Sequence, residues 1–126
     1  MDAPFTGAGD GGETWCLLTG GRVSKTHPCI EAVGALDEAE AAVALARTLA
    51  ARAGLREVAE TLEALEGLLF RVGYSLSGRS CVTPRDLEWA EAEAARLWRL
   101  ARGWRGFRLN GATPEAAAAA AARTAV

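Results

Sequence analysis

Aromatic side chains are scarce in this chain. Aromatic residues make up 6% of its 126 positions, methionine, histidine, tyrosine, lysine and asparagine occur once each, and glutamine is absent. So few rings beside so much alanine argue against a sheet core and for closely packed helices, because alanine is the best helix former and a poor strand former. No apolar run approaches the ~20 residues of a membrane-spanning helix, and the start carries no signal-peptide pattern, so no membrane is expected as a partner. The three cysteines, Cys16, Cys29 and Cys81, lack CxxC or Cys/His ligand spacing. That speaks against a structural zinc site or a disulfide framework and for a reduced, cytoplasmic protein, with no metal site expected. A net charge of −2 gives no basis for nucleic acid as a partner. The length suits one domain with a single modest core.

Glycine, in contrast, is concentrated at the start, in Phe5-Thr6-Gly7-Ala8-Gly9-Asp10-Gly11-Gly12-Glu13-Thr14. Glycines at this density weaken any regular element, but they permit positive φ and let successive N–H groups form an anion-binding nest. Thr14, Ser24 and Lys25 follow, and Lys25 is the single lysine of the chain. Two hydroxyls and one compact cation after a glycine loop suit a phosphate cradle, although the run is not a Walker loop. A glycine-rich N-terminus also suits a frayed tail, and both readings stay open on composition.

Residues 1–27 show no sustained periodicity and read as loop, followed by a helical bundle over 28–126. Pro28 suits the first turn of a helix that stops at Gly54, about 25 residues and roughly 38 Å long. Leu55, Val58, Leu62, Leu65, Leu69, Val72 and Leu76 form a seam of threes and fours, expected to be the core of the bundle, with Gly78 as the stop. Phe70 and Tyr74 lie beside it. Thr83-Pro84-Arg85-Asp86 opens a third helix, whose buried stripe is expected to be Leu87, Ala90, Ala94, Leu97, Trp98 and Ala101. Trp89 and Trp104 fall off that stripe and read as interface or edge residues. A second loop, Gly103 to Ala112, leads to Thr113-Pro114-Glu115 and a run of alanines, a helix suited to close approach of its neighbours. The fold class is therefore all-α, an up-and-down antiparallel helical bundle preceded by a glycine-rich loop.

Three blocks in order, Thr6-x-x-Gly9-Asp10-x-Gly12-x-Thr14, Gly20-Gly21-Arg22-Val23-Ser24-Lys25 and Glu31-Ala32-Val33-Gly34-x-Leu36-Asp37-Glu38, resemble the corrinoid adenosyltransferases of the propanediol-utilisation type. The resemblance implies transfer of the adenosyl group of ATP, as its Mg2+ complex, to a reduced cobalamin or related corrinoid. It also implies a homotrimer, with both substrates bound where subunits meet. It assigns Thr6, Gly7, Ala8, Gly9, Asp10, Gly12, Thr14, Ser24 and Lys25 to the nucleotide. Phe107 stands where the family has the phenylalanine that walls the lower face of the corrin. Asp37 and Arg123 stand where the family pairs a carboxylate with a guanidinium across the subunit boundary, a directional contact.

This chain departs from the family at several of these points. Gly7 and Ala8 replace an arginine and a threonine of the loop, Glu40 replaces an asparagine, and Asn110 and Ala112 replace a proline and a glycine beside Phe107. The matched blocks stop at Thr124, before the Arg-Arg-x-Glu-Arg run that carries triphosphate charge in the family. The resemblance thus implies a corrin side kept more fully than the nucleotide side. Three functions follow as expectations: an ATP:corrinoid adenosyltransferase of weak activity, a non-catalytic corrinoid- or nucleotide-binding relative, and a purely structural helical oligomer.

Overall fold

A computed structural model describes residues 3–76, 78–101, 105–107 and 109–126. Gly103, Trp104 and Arg108 of the second loop lie outside the described residues. The chain is mostly helical, as the alanine content requires, with strands β1 (Glu13–Cys16) and β2 (Gly21–Ser24) and helices α1 (Pro28–Arg52), α2 (Arg56–Ser75), α3 (Pro84–Leu100) and α4 (Pro114–Ala125).

The first correction lies in the N-terminal segment. Residues 13–24, read as loop, form an antiparallel hairpin pairing Glu13 with Ser24, Thr14 with Val23, Trp15 with Arg22 and Cys16 with Gly21. Its strands are four residues long, too short for a period of two to stand out from the flanking glycines. Pleating divides the side chains into two sets. Thr14, Cys16, Gly21 and Val23 are half-buried or buried, whereas Glu13, Trp15, Arg22 and Ser24 are exposed.

The second correction concerns the thiols. Cys16, 1% exposed at the end of β1, is joined by a disulfide to Cys29 in the first turn of α1, and Cys81 is free. The hairpin brings together two cysteines whose spacing resembles no framework, so the expectation of a fully reduced protein does not hold. The bond staples the hairpin to the helical body.

Helix α1 begins where expected. His27 caps it, its Nδ1 accepting from the Cys29 N–H at 3.1 Å, and Pro28 follows in the first turn. It ends with Gly54 at φ 78° and the Leu55 N–H returning to the Ala50 carbonyl at 2.9 Å, an arrangement that only a residue without Cβ adopts cheaply. Helix α4 starts in the same way, with the Thr113 hydroxyl accepting from the Ala116 N–H.

Packing is centred on α1, not on α2. Helix α1 lies against both α2 and α4, and its Ala39, Val43, Ala46 and Ala50 are buried, with Ala118 of α4. Small side chains allow this close approach, as expected of the alanine helix. The α2 seam is only half-buried, Leu55 is exposed, and the buried leucine of α2 is Leu68, a residue outside the seam. Within one chain the seam is therefore not the core.

Helix α3 meets α2 over a small area, and its orientation differs from the apolar stripe. Leu87 and Trp98, expected inside, are 62% and 68% exposed. The half-buried positions are Asp86, Trp89, Ala90, Glu93, Arg96 and Leu97, a face turned by about one residue. Charge explains the turn. Arg71 of α2 donates to Asp86 at 2.6 Å, and Arg96 donates to Glu93 at 2.9 Å, to Glu57 at 3.2 Å and to the Thr61 hydroxyl at 2.9 Å. Trp89 is thus half-buried beside this network. Among the described residues, no helix is long and apolar enough to cross a membrane.

Candidate functional site

The glycine segment is a folded loop rather than a frayed tail. Two consecutive turns close it, the Asp10 N–H donating to the Gly7 carbonyl at 3.1 Å and the Gly12 N–H to the Gly9 carbonyl at 3.2 Å. Gly7 and Gly12 have φ of 70° and 82°, where an L side chain would be strained. The Thr6 hydroxyl accepts from the Ala8 N–H at 3.3 Å.

The hairpin register sets where the cation goes. Because Ser24 pairs with Glu13, the next residue along, Lys25, lies beside Gly12, and its N–H donates to the Gly12 carbonyl at 2.9 Å. Its side chain runs back over the loop, and a Cβ built on Gly9 would lie 3.1 Å from the Lys25 Nζ. The ammonium therefore lies over Gly9 in the space that a side chain there would crowd. Thr6, Gly7, Ala8, Gly9, Asp10, Gly12 and Lys25 are gathered in one place.

The two hydroxyls are not gathered in the same way. Thr14 is on the inward face of the hairpin and Ser24 on the outward face. The Ser24 hydroxyl is within 2.9 Å of the Thr26 hydroxyl and accepts from the Thr26 N–H at 3.2 Å. A loop whose Gly9 and Gly11 N–H groups have no acceptor among the described residues, with an ammonium beside them, can bind an anion, and a triphosphate meets that description.

The remaining expected residues are dispersed. Asp37, on α1, is exposed and borders a hollow of about 140 Å³ with Leu36, Leu69, Phe70 and Tyr74. Arg123 is exposed in the last turn of α4, and Phe107 is fully exposed. Among the described residues, neither Asp37 nor Arg123 has an ion-pair or hydrogen-bond partner. One chain alone does not assemble them.

Two ionic features escaped the sequence reading. Arg22 donates from one guanidinium nitrogen to the carbonyls of Ala8 at 2.6 Å and Glu13 at 3.2 Å, with the Glu13 carboxylate 3.8 Å away. The other is the α2–α3 network. The Arg71 guanidinium, with the Thr83 N–H, holds the Asp86 carboxyl at about 2, and Arg96 and Thr61 lower that of Glu93. Arg22 was visible only as a member of the Gly-Gly-Arg-Val-Ser-Lys block, and its partners are main-chain atoms that no residue pattern marks.

The family model for cobalamin adenosyltransferase matches residues 4–126. The corrinoid adenosyltransferase PduO of Salmonella typhimurium is 45% identical over 78 residues, covering 62% of this chain and 22% of that protein. PduO of Citrobacter freundii is 46% identical over 61 residues, covering 48% of this chain and 18% of that protein. The chain thus spans about a fifth of the length of the curated relatives it matches. No solved structure gives a significant match.

Proposed function

This chain belongs to the cobalamin adenosyltransferase family, and from that premise we propose that it transfers the 5′-deoxyadenosyl group of ATP to Co(I) of a corrinoid. The observation that carries the reading is the Lys25 ammonium laid against Gly9 in a hydrogen-bonded glycine loop. The reaction forms one bond and breaks one. The Co(I) electron pair attacks C5′ of the ribose, the C5′–O bond breaks, and triphosphate leaves as an anion.

Co(I) is already a strong nucleophile, so the work of the protein is alignment and stabilisation of the leaving group. Lys25 and the loop N–H groups hold the triphosphate, which enters as the magnesium complex of ATP. Asp37 and Arg123 act as a carboxylate–guanidinium pair across a subunit boundary, and Phe107 covers the lower face of the corrin so that the axial base stays off cobalt. Their exposure in the single chain supports a role completed by a neighbouring copy, and exposed apolar residues such as Phe70, Tyr74, Leu87 and Trp98 support burial against one. The assembly is a homotrimer of up-and-down bundles, an arrangement the short connection between α1 and α2 favours.

Incubating the protein with MgATP and chemically reduced cobalamin tests this reading. The adenosylcobalamin spectrum should appear with one triphosphate released per product. Absence of product, with ATP still bound, would assign the chain to the non-catalytic binding class instead.

A further inference from the structure

Arg22 ties the two ends of the glycine loop together, and we propose that it is the positioning residue that holds this loop ready for phosphate. The inference rests on the phosphate-cradle reading above. Arg22 sits on the exposed face of β2, across from Trp15, and one guanidinium nitrogen reaches both the Ala8 carbonyl at the loop's start and the Glu13 carbonyl where β1 begins. A surface contact with the Glu13 carboxylate at 3.8 Å adds little. The two carbonyls are the substantive partners.

Anchoring the Ala8 carbonyl has a consequence for its neighbour. The peptide unit is planar and trans, so fixing the oxygen of the Ala8–Gly9 bond fixes the Gly9 N–H in the opposite direction. Among the described residues, that N–H has no intrachain acceptor, and it belongs to the same glycine the Lys25 ammonium lies against. Arg22 therefore sets the direction of one donor, and the hairpin sets the position of the other. The guanidinium also engages two carbonyl oxygens that would otherwise repel an anion near the loop.

Calorimetry with MgATP and with inorganic tripolyphosphate, on the full chain, tests the assignment. Arg22→Ala should weaken both by about tenfold, the scale of losing a charged hydrogen bond. Amide exchange over residues 8–13 should accelerate while the helices keep their protection. Added guanidinium at millimolar concentration should restore part of the affinity, which a general loosening of the fold would not allow. Wild-type affinity in Arg22→Ala, with Lys25→Ala impaired, overturns the role of Arg22 and leaves the cradle standing. Wild-type affinity in both variants overturns the cradle and this inference with it. Should Arg22→Ala lose its helical signal, Arg22→Lys decides, since it keeps the charge but ends one bond short of the nitrogen that reaches both carbonyls. Full affinity in that variant overturns the proposal.

Discussion

The loop-and-hairpin end of the molecule and the residues assigned to the corrin differ in how they are made. The loop is built from neighbours in sequence: turns at Gly7 and Gly9, a strand pairing that delivers Lys25, and one arginine across the opening. Asp37, Phe107 and Arg123 come from α1, the segment before α4, and α4 itself, and in one chain they are exposed, with no ion pair or hydrogen bond joining them among the described residues. Local hydrogen bonds form without a partner. Helix packing within the chain pairs Arg71 with Asp86 and Arg96 with Glu57, but it leaves Asp37 and Arg123 exposed on their helices. The loop is thus completed within one chain, and the residues assigned to the corrin are left open by it.

The largest effect should come from the open half. Asp37→Ala should reduce corrinoid binding by more than about a hundredfold, the scale of leaving one member of a buried pair uncompensated. The same variant should bind ATP through the loop with little change, and a comparable loss of both ligands would erase the contrast. Next comes Lys25→Ala, expected to weaken ATP by about tenfold or more by calorimetry while leaving the spectral change of a Co(II) corrinoid intact. Gly9→Ala should do less. Its new Cβ would meet the end of a flexible lysine at 3.1 Å. We expect a threefold to fivefold loss of ATP affinity, on the order of 1 kcal/mol or less, and a melting temperature within a few degrees of wild type. A loss as large as that of Lys25→Ala would mean that the loop backbone, not the ammonium, carries the binding.

The smallest effect belongs to neither half. Asp86 has its carboxyl lowered to about 2, chiefly by Arg71. Because the folded value is depressed, the pairing contributes in full above about pH 4 and is lost as the pH falls towards about 2. Acid unfolding followed by circular dichroism should lose part of its steepness in that window in Asp86→Asn. ATP affinity at neutral pH should stay that of wild type. An Asp86→Asn profile identical to wild type would remove the ion pair from the account of why α3 docks as it does.

What could be read in advance follows the same division. Helix starts were legible because they are written in adjacent residues: Pro28 after His27, Pro84 after Thr83, Pro114 after Thr113. Gly54 announced a stop and Lys25 a cation because each is locally distinctive. The hairpin was not legible, since four-residue strands beside glycines carry too little period, and with it went the Cys16–Cys29 bond. The α2 seam has the spacing of a packed helix, but spacing alone does not say how deeply a face is buried, and this one is half-buried. Helix α3 was misoriented because Arg71 and Arg96 outweigh Leu87 and Trp98 in choosing its inward face. The glycine loop residues are neighbours in sequence, whereas the place of Lys25 and the opposed faces of Thr14 and Ser24 follow from the strand pairing.

Mixing two defective variants tests most directly whether the open half is closed by another copy. Asp37→Ala and Arg123→Ala should each fail to form adenosylcobalamin alone. In mixed trimers, some boundaries join the intact Asp37 of one subunit to the intact Arg123 of the next. After equal mixing and reassembly, about a quarter of the wild-type rate should return, as random pairing in a cyclic oligomer requires. A mixture as inactive as either variant alone, with mixed trimers demonstrated by mass spectrometry, would contradict a site shared between subunits.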